Sequence, residues 1–546
     1  MQVSTTSSVA DRMMPAAGDC LYLPLKIELK KEINLSLSPK EASDEQYYRP
    51  VVARLLGVQS EDLTAVVVRR KSIDARQRQI RINMGIVAYV GEEPVAVQKE
   101  YRYGQVSGRP EVGIVGAGPA GLFAALRLIE FGYRPVIFER GKNVHDRKRD
   151  IARIYREHLV DPDSNYGFGE GGAGTFSDGK LYTRSKKRGS VQKVLEVFVQ
   201  FGADKQILID AHPHIGTNKL PGIITRIREQ IIASGGEIHF NSRVTGLLLK
   251  NDRCLGLELS DGSRFSCAAV ILATGHSARD IYEMLFRSGV NLENKAFAMG
   301  VRVEHPQSLI DTIQYHQDSR GPWLPAATYS FVEQVNDRGV YSFCMCPGGF
   351  IVPAATAPGE LVVNGMSPAQ RNSPFANSGM VVEIHPEDLR EFRHQGVFAG
   401  IEFQKQIEQL CFELNGHTQL APAQRLTDFV EGKRSPDLPE SSYRPGLIPA
   451  LLHEKLPKRI ATRLREGIVL MDRKAKGFLS REAVAVGVES RTSSPVRIPR
   501  DEESLQHIRI KGLYPCGEGA GYAGGIASSA IDGERSAEAL VRSLEA

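Results

Sequence analysis

Three glycines that follow a short apolar run constrain the fold of this chain more than any other feature. The run GAGPAG places them at Gly116, Gly118 and Gly121, between the apolar residues 112–115 and the run LFAALRLIEF, which has the spacing of a helix. The first glycine lets the chain turn, the second lets the backbone approach a phosphate, and the third lets the helix pack on the strand. The helix then offers unpaired N–H groups and its positive dipole end to an anion. The pattern predicts a βαβ unit that binds a dinucleotide.

An acidic residue ends the next predicted strand. The run PVIFE ends at Glu139, which lies 23 residues after Gly116. A carboxylate at this place accepts hydrogen bonds from both ribose hydroxyls and repels a 2′-phosphate. Because strand, glycine turn, helix, strand and acid occur in order, we interpret 111–139 as a site for FAD or NAD rather than NADP. The alternative is an ordinary βαβ unit.

Two later runs bear on the choice of dinucleotide. GLYPCGEGAGYAGG contains a predicted strand that ends at Gly517 and Glu518, and a helix is predicted from about Gly525. With the run ILATG at 271–275, these segments resemble the late and middle motifs of the two-part FAD enzymes. The resemblance implies FAD, because an enzyme that uses only NAD needs neither motif. It also implies that the late helix faces the flavin pyrimidine, where its dipole stabilises the reduced ring.

A glycine-rich loop, FGEGGAGTFSDGKL, occupies residues 168–181. Such a loop brings backbone N–H groups near a pyrophosphate or the edge of the flavin ring. The alternative is a mobile surface loop. The residues expected to bind the cofactor are Gly116, Ala117, Gly118, Pro119, Ala120, Gly121, Glu139, Arg140, Gly171, Gly172, Thr175, Val244, Ala273, Thr274, Gly275, Gly517, Glu518, Gly525 and Ile526.

Several unusual runs resemble a narrower family. Besides the glycine-rich loop, they are AHPHIGTNKL, FAMGVRVEHPQ, SFCMCPGG, VVNGMSPAQRNSPFANSG and ESRTSSPVRI. In these runs the chain is similar to the uncharacterised FAD-dependent dehydrogenases of bacteria and plastids, which are sometimes described as NAD-utilising. The resemblance extends over most of the chain from about residue 69, and the small N-terminal domain is similar as well. It implies an FAD-dependent oxidoreductase and gives no substrate, because that family has no settled reaction.

The order of these patterns predicts an α/β fold in four segments. Residues 1–104 form a small α+β domain, with strands predicted at 21–29, 63–73 and 79–90 and a helix at 49–58. Residues 105–291 and 479–546 supply the two parts of a Rossmann-like, glutathione-reductase-like FAD-binding domain. Residues 292–478 form an inserted mixed-sheet substrate domain. Asn251-Asp252 and Asp261-Gly262 predict hairpin turns within the first FAD-binding part.

Five residues are candidates for proton transfer or substrate binding: His212, His214, Lys180, Arg371 and Arg491. The two histidines can relay protons, or they are a structural or nucleotide-contacting pair. The two arginines can clamp a carboxylate or phosphate, or they support loops. The lysine begins a basic stretch that continues at 184–188. This stretch attracts an anionic substrate or NAD(P)H, or it is a solvated charged face.

Composition limits the remaining partners. A net charge of +5 over 546 residues requires neither a nucleic acid nor a membrane, and no run has the length and apolarity of a membrane span. Seven scattered cysteines fit a reducing compartment, so we expect a cytoplasmic protein without a metal site. Cys344 and Cys346 lack the spacing of flavin disulfide enzymes, which favours free buried thiols. The basic run at 69–81 lacks the aromatic residues that stack on RNA, so we interpret it as structural or protein-contacting.

These observations predict an FAD-dependent oxidoreductase that transfers hydride through flavin N5 to or from a small molecule under the inserted domain. No second intact dinucleotide motif occurs in the sequence, so NAD(P)H, if it takes part, is a diffusible co-substrate. Dehydrogenase, reductase of an unsaturated bond and monooxygenase stay open. The alternatives are a non-catalytic or regulatory flavoprotein and a flavin-dependent RNA-modifying enzyme. The oligomeric state is not predicted.

Overall fold

A computed structural model of the protein describes residues 29–94, 99–183 and 189–546. Its α/β class and its mixed central sheet agree with the sequence prediction. None of the helices in these ranges is both long and apolar enough to cross a membrane.

The N-terminal part is a three-stranded antiparallel sheet with one helix. Its elements are β1 (Leu29–Leu37), α1 (Glu45–Leu56), β2 (Leu63–Asp74) and β3 (Arg81–Val90), with β3 in the middle of the sheet. α1 follows Asp44, whose side chain accepts a hydrogen bond from the Gln46 N–H, and ends at Gly57 in the left-handed region. The helix and the last two strands confirm the predictions. The strand predicted at 21–29 lies outside the described residues except for Leu29.

The free edge of β2 contacts the next part of the chain. The Lys71 N–H donates to the Ile209 carbonyl over 2.8 Å, and the Lys71 carbonyl accepts from the Ala211 N–H over 2.9 Å. The basic run at 69–81 therefore supplies a backbone contact between two parts of the molecule, which favours its structural interpretation. Tyr101 and Val106 already pack in the core of the second part, so the small domain ends before residue 104.

The second part is built on a parallel sheet. Its elements are β4 (Glu111–Val115), α2 (Pro119–Glu130), β5 (Arg134–Phe138), α3 (Val144–Glu157), α4 (Val191–Gln200), α5 (Leu220–Ala233), β6 (Glu237–His239), β7 (Val244–Lys250), β8 (Arg253–Leu259), β9 (Arg264–Ser266), β10 (Val270–Leu272) and α6 (Arg279–Arg287). The parallel order is β10-β4-β5-β6, and β7-β8-β9 form a separate antiparallel sheet. Both predicted hairpin turns are present. Asn251 and Asp252 have positive φ angles in the first, and Gly262 has one in the second.

The central part contains a seven-stranded mixed sheet. Its elements are β11 (Glu293–Asn294), β12 (Phe297–Pro306), α7 (Gln307–Tyr315), β13 (Val332–Val335), β14 (Arg338–Cys346), β15 (Phe350–Pro353), β16 (Val363–Met366), β17 (Phe375–Ile384), α8 (Ala399–Glu413), β18 (Ala421–Arg425), α9 (Leu426–Glu431), β19 (Leu447–Pro449), α10 (Leu452–Lys455), α11 (Lys458–Lys474) and β20 (Val484–Glu489). The order is β13-β14-β17-β12-β20-β18-β19, and β15 and β16 form a hairpin beside it.

The chain then returns to the parallel sheet. The last elements are β21 (Val496–Arg497), which pairs with β11, then β22 (Leu513–Pro515), which extends the sheet beside β10, and α12 (Ile526–Glu545), which packs on α2 and α4. The boundary predicted at 479 is wrong, because β20 lies between β12 and β18 in the central sheet. All six residues of β20 are buried, so its apolar run resembles a strand of a parallel sheet.

Candidate cofactor and substrate site

The glycine turn lies between β4 and the first turn of α2. Gly116 has a φ of 102°, and a Cβ atom there would lie 2.5 Å from the Ala273 carbonyl oxygen. A Cβ atom on Gly121 would lie 2.0 Å from the Gly116 carbonyl oxygen. Any side chain at Gly121 would therefore prevent this close contact between the helix and the turn. At Gly118 the nearest atom to such a Cβ is 3.9 Å away, and this residue lines a cavity. The turn leaves open space before the amino end of α2, as a bound phosphate requires.

Glu139, at the end of β5, fixes this turn to two other segments. Its Oε2 accepts a hydrogen bond from the Ala117 N–H (2.9 Å), and its Oε1 accepts from the Gly141 and Gly169 N–H groups (2.9 and 3.0 Å). The residue is only 5% exposed and lines the cavity. Oε1 already accepts two hydrogen bonds, but Oε2 accepts only one and can also accept a hydrogen bond from a ribose hydroxyl.

The neighbouring Arg140 also lines the cavity, but acidic partners compensate its charge. It forms ion pairs with Asp163 (2.8 Å) and Asp280 (2.9 Å), and its guanidinium lies 4.3 Å from the ring centre of Phe168. Arg140 therefore joins three segments around the site, and its side chain is less open to a ligand than the sequence suggests.

The glycine-rich loop packs against the glycine turn. The Gly171 N–H donates to the Ala117 carbonyl over 2.8 Å, and a Cβ atom on Gly172 would lie 3.2 Å from the Cα atom of Gly118. The Thr175 hydroxyl donates to a carbonyl within the loop rather than toward the cavity. This loop is thus held beside the amino end of α2, which argues against its interpretation as a mobile surface loop.

A buried arginine outside the predicted set of site residues holds the loop. Arg147 on α3 is fully buried and donates to the carbonyl oxygens of Asn165, Tyr166 and Glu170 over 2.7 to 2.8 Å. Burial lowers the pKa of its guanidinium to about 10 despite the nearby carboxylates of Glu139 and Glu170. Arg147 lies on the same helix face as the buried positions 144, 151 and 154. This periodicity is the sequence signal that predicts a buried position for the arginine.

The late motif after β22 is held from α12. The Gly517 N–H donates to Asp532 Oδ2 (2.8 Å), and Asp532 forms a bidentate ion pair with Arg500 (2.6 and 2.9 Å). Both side chains are 4% exposed. A buried pair therefore joins the last helix, the last strand of the parallel sheet and the cavity wall.

His276 and Glu518 face each other across the cavity wall. His276 directly follows the run ILATG, and its Nδ1 lies 3.0 Å from Glu518 Oε2. Burial raises the pKa of Glu518, but the hydrogen bond and charge of His276 outweigh it and the pKa is lowered overall. Glu518 therefore stays ionised at neutral pH. The sequence predicts Glu518 as a cofactor residue but gives no signal for its partner, because the two lie 242 residues apart.

One cavity of about 1080 Å³ connects these segments with the central part. Of the residues predicted to bind the cofactor, Ala117, Gly121, Gly171 and Thr175 do not line it and instead form its supporting backbone. The predicted residues that do line it are Gly116, Gly118, Pro119, Ala120, Glu139, Arg140, Gly172, Val244, Ala273, Thr274, Gly275, Gly517, Glu518, Gly525 and Ile526. The glycine turn, the middle motif and the late motif thus share one wall.

The candidates for substrate binding separate into two groups. Lys180, His212, Arg371 and Arg491 line the cavity, whereas His214 does not. The Nε2 atom of His214 lies 3.1 Å from the Ala369 carbonyl oxygen, and burial and Arg371 lower the pKa of its imidazole. His214 therefore packs behind the wall, which favours its structural interpretation.

Arg491 is enclosed in an ionic network. It pairs with Glu360 (2.6 Å) and Glu408 (2.8 Å), and it also donates to the Thr356 hydroxyl. Arg279 on α6 binds the same two carboxylates over 3.0 Å each. Because carboxylates of the protein already compensate the charge of Arg491, its guanidinium is not free to bind a substrate carboxylate or phosphate as predicted. The residue instead joins α6, α8 and the segment after β20.

A second buried pair was not predicted. Arg302 on β12 is fully buried and donates to Glu489 (2.8 Å), Asn377 (2.7 Å) and the Cys344 carbonyl (2.7 Å). Glu489 lines the cavity, and burial raises the pKa of its carboxyl despite Arg302. The pair spans 187 residues of sequence, and the partner strands are adjacent only in the folded sheet.

The two close cysteines differ in environment. Cys346 is buried, but Cys344 is exposed and lines the cavity, so the expectation of two buried thiols is wrong for Cys344. Cys344 lies at an irregularity of β14 with a φ of 45°. The protein around the cavity raises the pKa of its thiol to about 11, so it is neutral at neutral pH. Both thiols are free.

Comparisons with known proteins agree with this division of the chain. Residues 296–492 match a family model described as FAD-dependent protein, C-terminal domain-like, and residues 29–89 match a domain of unknown function. The first match covers the central sheet and ends close to the observed return after β20.

Among solved structures, a triple mutant of a flavin-dependent brominase is 10% identical with a TM-score of 0.36, and covers 80% of this chain and 81% of its own. A mutant quinol fumarate reductase of E. coli is 13% identical with a TM-score of 0.35, and covers 80% and 71%. An uncharacterised protein of Clostridium beijerinckii is 40% identical over 533 residues, which are 94% of this chain and 98% of the relative. The chain belongs to the family of this Clostridium beijerinckii protein.

Proposed function

We propose that the protein is an FAD-dependent oxidoreductase that acts on a small molecule. The observation that carries the proposal is the continuity of the cavity, which runs from the glycine turn at Gly116 and Gly118 to the polar side chains of Lys180, Cys344 and Glu489. A site that only stored a nucleotide would need no polar chamber beside it. The match to an FAD-dependent domain at 296–492 supports FAD as the cofactor.

The residues present fit FAD. The amino end of α2 and Gly118 would hold the pyrophosphate, and Glu139 Oε2 would accept a hydrogen bond from the adenosine ribose. Gly517, Glu518 and the amino end of α12 would lie along the flavin half. Gly525 supports this fit, because no atom lies within 4 Å of a Cβ built there and the residue lines the cavity. When bound, FAD supplies hydride transfer at N5.

The finer features of this proposal are a glutathione-reductase-like arrangement, dehydrogenase chemistry and a cytoplasmic location. NAD(P)H is proposed as a diffusible co-substrate in the same cavity. The parallel sheet in the order β22-β10-β4-β5-β6 and the insertion between its two parts support this arrangement.

The first test follows the flavin itself. The purified protein is expected to carry FAD, and anaerobic addition of NADH or NADPH is expected to bleach its absorbance. Reduction by dithionite alone would favour a dehydrogenase reduced by its own substrate or the non-catalytic alternative. A protein without flavin even after FAD is added would overturn the proposal.

A variant pair tests the cofactor site separately from the reaction. Gly118→Val places a side chain on the open side of the turn, where a Cβ atom would lie 3.9 Å from the nearest protein atom, so we expect at least a tenfold loss of bound flavin with an unchanged circular dichroism spectrum. Gly104→Ala is the control, because a Cβ atom there also meets open space and the residue does not line the cavity. Full flavin content in Gly118→Val would contradict the assignment.

A further inference from the structure

Two cations and one carboxylate meet in the cavity wall where the glycine-rich loop ends. Arg371 binds Asp178 in a bidentate manner, with 2.6 Å from Nη2 to Oδ2 and 3.2 Å from Nε to Oδ1. The Lys180 Nζ atom lies 3.8 Å from the same Oδ2 and donates to the Met345 carbonyl. Lys180, Arg371 and Asp178 all line the cavity.

The charges of this cluster do not cancel. Asp178 is 3% exposed, and Arg371 occupies both of its oxygens at short distance. The nearest partner of Lys180 is a neutral carbonyl. Within the described ranges, Arg371 uses Nε and Nη2 on Asp178 and leaves Nη1 without a hydrogen-bond partner. One positive charge therefore remains in a partly enclosed cavity, where an uncompensated charge is unfavourable.

Among the described residues, the titratable groups beside this cluster do not supply the missing negative charge. Glu489, which also lines the cavity, is paired with the fully buried Arg302. The surrounding protein raises the pKa of the Cys344 thiol to about 11, and burial raises the pKa of the Cys346 thiol, so neither is an anion at neutral pH. His214 behind the wall has a lowered pKa and is neutral. The Lys180 side chain is 36% exposed, so an anionic ligand that enters the cavity can reach it and supply the compensating charge.

The backbone presents Arg371 in a fixed position. Its φ is 49°, in the left-handed region that non-glycine residues rarely adopt. A Cβ atom on Gly348 would lie 1.8 Å from the Arg371 carbonyl oxygen, so the two segments are packed backbone against backbone. Non-glycine residues held in this region are found preferentially at ligand-binding positions.

We propose that Lys180 and Arg371, held by Asp178, form an anion subsite that binds a carboxylate of the substrate. The inference rests on the proposed function, because it places the substrate in the cavity shared with FAD. A guanidinium with a free N–H and an adjacent ammonium provide the donors that a planar carboxylate accepts. Arg491 and Arg302 cannot serve in this way, since carboxylates of the protein already occupy them.

Titration with matched anions and amides tests the subsite without knowledge of the substrate. Benzoate and benzamide, and acetate and acetamide as a smaller pair, are titrated into the FAD-loaded protein by calorimetry and by flavin difference absorbance. We expect at least one carboxylate to bind tenfold more tightly than its amide, and Lys180→Met to remove most of this preference. Lys180→Arg should restore part of it. Lys148→Met, on the exposed face of α3, is the control and should behave like the wild type.

Three results would overturn the inference. They are equal binding of acid and amide in both pairs, an unchanged preference in Lys180→Met, and stronger binding of inorganic phosphate than of either carboxylate. Flavin content and anaerobic reduction are recorded on the same preparations. Intact flavin chemistry without a preference for anions would contradict the subsite alone. A preference for anions without flavin reactivity would support the subsite and contradict the oxidoreductase proposal.

Discussion

Close backbone contacts between helices depend on single glycines in this protein. A Cβ atom on Gly533 of α12 would lie 2.1 Å from the Ala120 carbonyl oxygen of α2. The carbonyl oxygen belongs to the backbone of α2 and cannot rotate away. Gly533→Ala must therefore push the two helices apart, at a cost of about 1–3 kcal/mol in the free energy of unfolding. We expect weaker FAD binding as well, since α2 begins at the glycine turn. Gly222→Ala on α5 is the control. Its Cβ would meet only a flexible Arg226 side chain at 3.7 Å, so helix propensity should make it neutral or stabilising in denaturant titrations. Equal stabilities of the two variants would contradict the steric argument. At this same scale, the sequence predicted the glycine turn and Glu139 because local geometry determines them. It could not predict the pairs His276–Glu518 and Arg302–Glu489, whose members meet only through the folded sheets.

The last helix is tied to the cavity wall by one buried ion pair. Replacing Asp532 by asparagine leaves the Arg500 guanidinium buried without a counter-charge, which costs about 3–5 kcal/mol in known cases. The Gly517 N–H also loses a charged acceptor, so we expect Asp532→Asn to unfold at lower urea concentration and to retain less flavin. Asp252→Asn is the matched control. Its pair with Arg509 is about 60% exposed, and such pairs contribute about 0–1 kcal/mol. An Asp532→Asn protein as stable as this control would show that the pair has no such role. Among the elements, the helices and hairpins followed local patterns, whereas β20 did not. A strand buried on both faces has the same apolar run in a central mixed sheet as in a parallel one.

The parts of the molecule are joined by the network of Arg279, Glu360, Glu408 and Arg491. Burial raises the pKa of Glu408, but Arg279 and Arg491 outweigh it and lower the pKa to about 2. A carboxyl with a lowered pKa stabilises the fold above its ordinary value of 4.5, and this stabilisation is lost as the pH falls toward 2. We therefore expect Glu408→Gln to be less stable than the wild type at pH 7, with a difference that narrows as the pH decreases from about 4.5. Unfolding free energies measured between pH 7 and 3 check this, and a constant difference would contradict it. Glu360 has a raised pKa, so its contribution to stability changes with pH in the opposite direction. The Glu408→Gln variant therefore isolates the contribution of Glu408.

The split of the parallel sheet across the chain determines the order in which the protein can be assembled during synthesis. α2 is made early and is buried on almost all sides, yet α12, which covers it, follows only after the whole central part; Arg127 and its partner Glu538 are 411 residues apart. One edge of β10 likewise stays unpaired until β22 has been synthesised. Nascent chains must therefore carry an apolar helix and an open strand edge while the central sheet is translated. Such surfaces favour aggregation and chaperone binding. The central part has its strands complete first, so the dinucleotide site is the last region of the molecule to close.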